Sequence, residues 1–179
     1  MSQSQKEYII EQATEMFCQL GIKAVRMDDI AQNLGVSKRT LYELFEDKMN
    51  LLKLCMINYY EVRRERLNAR IGECANVLES ILTAFDIFLV YGETERRMQT
   101  NLRRFYPALY EEISAQMQQR NRERLKGAIQ KGIDEGLLDR TIDVDIAVAM
   151  LGWSLSGVVE TRKASLPHNI TPEYALRYV

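Results

Sequence analysis

Leu34-Gly35-Val36-Ser37-Lys38-Arg39-Thr40-Leu41-Tyr42 is the stretch on which the reading of this 179-residue chain turns. Gly35 permits the positive φ at which a helix can stop, Val36 can fill the angle between two helices, and Ser37 is a helix-capping residue. Upstream, Met27, Ile30, Ala31 and Leu34 form a short apolar stripe at helical spacing, and downstream Leu41, Leu44 and Phe45 form another. The pattern predicts two short helices meeting at a tight corner. The second opens with Lys38, Arg39 and Thr40, so two cations and a hydroxyl lie where backbone N–H groups already point outward. Laid in a major groove, that turn would bring them to base edges or flanking phosphates. On spacing alone, an αα-corner with a solvated charged turn accounts for the stretch about as well.

Helical periodicity continues on both sides. Ile10, Ala13, Phe17 and Leu20 predict a helix stopped by Gly21, and Asp47 is placed to cap a long helix running to about Gly72. Val77, Ile81, Ala84, Phe85 and Phe88 predict a further helix, followed by a turn or short helix over the polar run from Gly92 to Thr100. Pro107 opens another helix, with interruptions expected at Gly132 and Gly136, and Asp143 caps the next, from Val144 to about Arg162. Thr171-Pro172-Glu173 is a helix start signal, but only nine residues follow from Thr171 to Val179, short against the roughly 12–15 an isolated helix needs. Either the chain is truncated there or any dimer interface it builds is smaller than usual. No segment alternates with period two, so the expected fold class is all-α.

Composition limits what such a fold does. With 46% apolar and 27% charged residues the chain is neither disordered nor membrane-bound, and its longest apolar run, from Ile81 to Tyr91, contains Asp86 and is too short to span a bilayer. The polar N-terminus lacks a signal-peptide core, and Cys18, Cys55 and Cys74, odd in number and widely spaced, read as buried reduced thiols of a cytoplasmic protein. Net charge is −1, so nucleic-acid binding would require a local patch.

Three stretches carry a resemblance. They are Gly21-Ile22-Lys23-Ala24-Val25-Arg26-Met27-Asp28-Asp29-Ile30-Ala31, the corner from Leu34 to Tyr42, and Phe45-Glu46-Asp47-Lys48 with Leu51-Leu52. Together, over about residues 5 to 52, they resemble the DNA-binding domain of TetR-family transcriptional regulators. The resemblance implies an N-terminal three-helix helix-turn-helix domain over residues 1–48 and a helical-bundle ligand-binding and dimerisation domain over 49–179. It places Lys38, Arg39 and Thr40 at recognition positions, makes Ser37 a cap and phosphate contact, and gives Tyr42 and Lys48 to the DNA backbone. Arg26 stands where the family usually has a capping Ser or Thr, so the cap is lost while a guanidinium can still grip phosphate. Glu43 is expected to repel nearby phosphates. Residues 1–48 hold six Lys/Arg and eight Asp/Glu, so the acids are expected on the far side.

In the second half, the helix from Val144 is apolar nearly all round. Ala147, Leu151, Leu155 and Val158 make one face; Ile146, Met150, Trp153 and Gly157 make another. It is either the central helix of a monomeric bundle or one that meets a second copy, and the resemblance implies a homodimer on a near-palindromic duplex operator. Tyr59, Phe85, Phe88, Met98, Tyr106, Tyr110, Met117 and Trp153 are either plain core or the lining of a cavity for a small apolar or amphipathic effector. Asp86 is a ligand contact or a surface residue. The resemblance implies a ligand-responsive regulator, foremost a repressor; an activator, an effector-independent regulator and a helical protein-interaction module are the alternatives.

An enzyme reading finds little support. The one histidine, His168, lies between Pro167 and Asn169, and no paired-His spacing, Cys-x-x-Cys, phosphate loop or nucleophile elbow appears. Glu111 and Glu112 point about 100° apart on a helix. No cofactor or metal is expected, and Arg120, Arg122, Arg124 and Lys126 read as a solvated helix face.

Overall fold

The structure, a computed structural model, describes residues 3–161, and the side chains of all but 88, 89 and 153–161. Among these residues the chain forms seven α-helices and no strand: α1 Gln3–Leu20, α2 Met27–Leu34, α3 Lys38–Phe45, α4 Lys48–Gly72, α5 Val77–Phe105, α6 Pro107–Asp134 and α7 Val144–Thr161. The expected start at Thr171 and the His168 loop lie outside the described residues. No described helix is long and apolar enough to cross a membrane.

Local chemistry sets most boundaries. Gly21 (φ 89°) ends α1, its N–H donating to the Phe17 carbonyl at 3.0 Å. Gly35 (φ 63°) ends α2, and the Val36 N–H closes onto Ala31 O at 3.0 Å, which satisfies a carbonyl that the helix leaves open. Asp47 caps α4 through Asn50 N at 2.8 Å, and Asp143 caps α7 through the N–H groups of Asp145 and Ile146, both at 3.0 Å.

Four details differ from the sequence reading. On α1 the buried line is Ile9, Ala13 and Phe17; Ile10 is half-buried and Leu20 exposed. Steps of three and four both fit one helical stripe, and packing against α4 selects the line with steps of four. The polar run from Gly92 to Thr100 is no break, because α5 passes through it: a helix-interior glycine costs only about 1 kcal/mol relative to alanine, and the Glu, Arg, Met and Gln around it are good helix formers. Gly132 does not interrupt α6 but lies in its last turns, at a close approach. A Cβ there would stand 2.7 Å from Leu138 Cδ1 and 3.0 Å from Val77 Cγ1. Finally, only Cys55 is buried; Cys18 and Cys74 are half-buried, and all three are free thiols.

The chain divides into two compact units. One comprises Met1–Gly72 with Thr94–Gln116, the other Glu73–Glu93 with Met117–Val179, so α5 and α6 contribute to both. The boundary expected after residue 48 falls at the first residue of α4. In the first unit α1 packs on α4, and the buried set includes Ile9, Phe17, Ile30, Leu41, Leu51 and Met56. Thr14, buried among them, donates to the carbonyls of Ile10 (2.6 Å) and Cys55 (3.4 Å). The second unit has its own core of Ile129, Ile133 and Val148, flanked by Leu125, Leu138, Ala147 and Leu151.

Two expectations test this packing. Gly127 lies in α6 with nothing within 4 Å of an added Cβ, so Gly127→Ala should stabilise by about 0.4–1 kcal/mol, whereas Gly132→Ala should be the less stable of the pair by at least about 1 kcal/mol in urea unfolding. Burial pushes the Cys55 thiol up to about 12 from 9.0. The folded state thus holds this proton more tightly than the unfolded chain, so the thiol's contribution to stability is complete below about pH 9 and fades towards pH 12. Timed alkylation at pH 8 should label Cys55 only as the protein unfolds.

Candidate nucleic-acid interface

The corner between α2 and α3 forms as its residues dictate. Ser37 Oγ accepts from Thr40 N at 3.0 Å and lies 2.8 Å from Thr40 Oγ1, so cap and hydroxyl are already ordered against each other. On the buried side of α3, Leu41 and Phe45 anchor the helix. The opposite side leaves the Arg39 side chain 87% exposed and Tyr42 48% exposed. An eight-residue helix cannot hold itself in water, so this face is presented by its neighbours.

At the start of α2, Arg26 supplies no side-chain cap, as expected of a group with no acceptor, but the helix is capped from inside. Asp29 Oδ2 accepts from the Arg26 N–H at 2.7 Å, which leaves the exposed Arg26 guanidinium unencumbered by capping.

The acids are not confined to a far side. Lys38 Nζ pairs with Asp28 at 2.5 Å and Arg39 Nε with Glu43 at 2.7 Å, both largely exposed. Glu43 therefore neutralises one of the two cations that open α3. Arg39 and Glu43, four apart on one helix, could have been paired from sequence; the Lys38–Asp28 pair joins two helices and could not. Exposed pairs of this kind contribute about 0–1 kcal/mol, so a phosphate can displace either carboxylate at small cost.

Lys48 departs from the rest. Its ammonium donates to the Ile22 carbonyl at 2.6 Å and lies 5.8 Å from the Phe17 ring centroid. Its pKa is lowered by burial, with Asp29 opposing the shift and Arg26 adding to it. Just before it, Glu46 adopts φ 63°, a left-handed backbone rare for a non-glycine residue, in the two-residue turn between α3 and α4.

The residues expected around an effector divide between the units. Tyr59, Met98, Tyr106 and Tyr110 belong to the first, Phe85 and Met117 to the second, while the side chains of Phe88 and Trp153 lie outside the described residues. Met98 is buried, its sulfur 3.3 Å from Cys18 Sγ, and Tyr59 meets Tyr60 edge to face with centroids 5.4 Å apart. Sequence reasoning missed the polar group beside them. Arg63 pairs with Glu95, both side chains under 20% exposed; Glu95 accepts from Gln99 at 3.2 Å, and Gln99 hydrogen-bonds Tyr60, whose phenol is pushed up by burial. Arg63 and Glu95 sit on different helices, 32 positions apart, and no local signal joins them. On α7, Ile146 and Met150 are exposed one turn apart; Gly157 and Trp153 have no described side-chain placement. Asp86 is a surface residue.

A family model described as bacterial regulatory proteins, tetR family, matches residues 9–55, which span the whole corner and its supports. The match to the tetR family is confined to this N-terminal segment. A relative from Bacillus subtilis (strain 168), the HTH-type transcriptional regulator YhgD, is 43% identical over 51 residues, which are 28% of this chain and 27% of that protein. Among solved structures, the tetR-family regulator from Cytophaga hutchinsonii is similar with a TM-score of 0.81 at 17% identity, covering 99% of this chain and 93% of that one. A transcriptional regulator from Saccharomonospora viridis in complex with choline gives 0.77 at 17% identity, covering 99% and 94%. At those identities the likeness is one of fold alone.

If the Ser37 cap holds the tetR corner as described, Ser37→Ala should lower stability by about 1 kcal/mol, read as a shift in the urea midpoint. An unchanged midpoint would mean that α3 is held from elsewhere.

Proposed function

We propose that this protein is a DNA-binding transcriptional regulator that acts as a homodimer on a near-palindromic duplex operator. The observation that carries the reading is the outward face of the capped helix α3, with Arg39 and Tyr42 open to solvent. Arg26, Ser37, Lys38, Arg39, Thr40, Tyr42 and Lys48 are its proposed DNA contacts: cations and hydroxyls at the starts of α2, α3 and α4, where backbone N–H groups favour phosphate, with Tyr42 on the outer face of α3. Residues 1–48 serve as the reading head and 49–179 as the part that pairs and responds.

Pairing is assigned to α7. Ala147, Val148 and Leu151 turn towards the core of their own unit, whereas Ile146 and Met150 are left exposed on another side, as a helix with a second partner would leave them. In the same reading Trp153 and Gly157 continue that face. A two-fold dimer presents two α3 helices to half-sites about 34–36 Å apart.

The regulator is proposed to be a ligand-responsive repressor. An effector that binds one spacing of the heads better than the other shifts the population by no more than its differential affinity. The choline complex of the Saccharomonospora protein is consistent with an amphipathic effector, and the tyrosines at 59, 60 and 110 supply aromatic faces of the kind such a ligand needs.

Gel-shift titration against DNA upstream of its own gene tests the reading. Wild type should retard the fragment at low salt, and Arg39→Ala should weaken binding about 5- to 150-fold. Sedimentation should show a dimer that Met150→Glu dissociates. Folded protein that ignores duplex DNA at low salt would remove the regulator reading, and a monomeric wild type would remove the pairing.

A further inference from the structure

We propose that Arg39 reads a guanine in each half of the operator and that Glu43, one turn further along α3, is the positioning residue that aims it. The inference rests on the DNA-binding reading above and names a base which that reading leaves open.

At about 100° per residue, Arg39 and Glu43 lie within about 40° of each other around α3. Leu41 and Phe45, the buried residues of that helix, each lie about 200° from one of them. The pair therefore forms the crest of α3, opposite its anchors, on the side that a helix laid in a major groove turns to base edges. Glu43 Oε1 accepts from Arg39 Nε at 2.7 Å, although both side chains are largely exposed. This bond uses one of the five guanidinium N–H groups. The two terminal nitrogens remain for the planar fork that matches O6 and N7 of guanine. A carboxylate on Nε thus leaves the reading edge open and holds its plane, which a long exposed side chain would otherwise have to fix on binding.

The order of the charges argues that the pair does not serve the helix. A helix favours acids in its first turn and bases in its last. In α3 the cation stands in the opening turn and the acid in the closing one, the reverse of the stabilising arrangement. The neighbours of Arg39 are differently engaged. The Ser37 and Thr40 hydroxyl oxygens lie 2.8 Å apart at the cap, and Lys38 turns to Asp28 on α2. Lys38 also carries a point charge without a plane, suited to phosphate, whereas Arg39 carries a fork. A phosphate can draw Arg39 off Glu43 at small cost. A guanine edge asks for no such exchange, because base and carboxylate take different N–H groups of the same side chain.

The test is selection of duplexes from a randomised pool by the full chain, followed by titration of single-base variants of the selected site. Wild type should enrich one guanine per half-site and bind it about 5- to 150-fold more tightly than any other base at that position. Arg39→Lys keeps the charge and loses the fork, so the preference should vanish at that position and persist at the others. Glu43→Ala should weaken the preference at the same position, and Glu43→Gln, which keeps an acceptor oxygen for Nε, should recover part of it. In the Arg39→Lys, Glu43→Ala double variant the two losses should not add. Both positions are exposed, so each variant should keep a urea midpoint close to that of wild type. A Glu43 that only repels phosphates gives the opposite result: Glu43→Ala would then raise affinity for every sequence alike and leave base preference intact, which would overturn the positioning role. A selected site without a guanine preference, or one that Arg39→Lys leaves unchanged, would overturn the proposal while leaving the regulator reading in place. Wild type that retards no duplex of the pool would end the regulator reading and this inference with it.

Discussion

The packing of α1 on α4 is the constraint on which the head depends. Helices of eight residues are unstable alone, and α2 and α3 are both that length. They persist because α1 and α4, 18 and 25 residues long, bury Ile9, Ala13 and Phe17 and Leu51, Leu52 and Cys55 and give the short pair a wall to lean on. Ile30 and Leu41, fully buried, are among the points at which α2 and α3 join that wall. Everything outward-facing on α3 is positioned by what is inward-facing on it.

That arrangement explains how a head with more acids than bases can still present a reading surface. Charge is managed locally: Asp28 and Glu43 neutralise Lys38 and Arg39 until something more strongly negative arrives, and Asp29 is turned inward to cap α2. Because the two outer pairs are solvent-exposed, exchanging a carboxylate for a phosphate loses little.

The second unit works by different means. Its core of Ile129, Ile133 and Val148 is assembled around a close approach at Gly132, where an added Cβ would crowd the side chains of Leu138 and Val77. Gly132 had suggested a break in the helix; it is a contact. The same shift of meaning applies to the run after Gly92, where a polar composition looked like a turn and is a helix with solvent on one side. Polarity and an isolated glycine are weak breakers when the residues around them are straight-chain helix formers.

The sequence by itself determined the all-α class, the corner at Gly35, the caps at Ser37, Asp47 and Asp143 and the proline start of α6, because each is written within a few consecutive residues and follows from backbone geometry or one short-range hydrogen bond. It also named the residues of α3 that end up outside, since helical period separates them from Leu41 and Phe45. Only the tertiary structure decided that Ile9 and not Ile10 faces inward, that Asp28 reaches Lys38, that Arg63 and Glu95 are buried together, and that the Lys48 ammonium ends on Ile22. Each of those joins positions distant in the chain or chooses between neighbouring lines on one helix. A side chain's partner across helices is set by how whole helices pack, and no local pattern of residues encodes that.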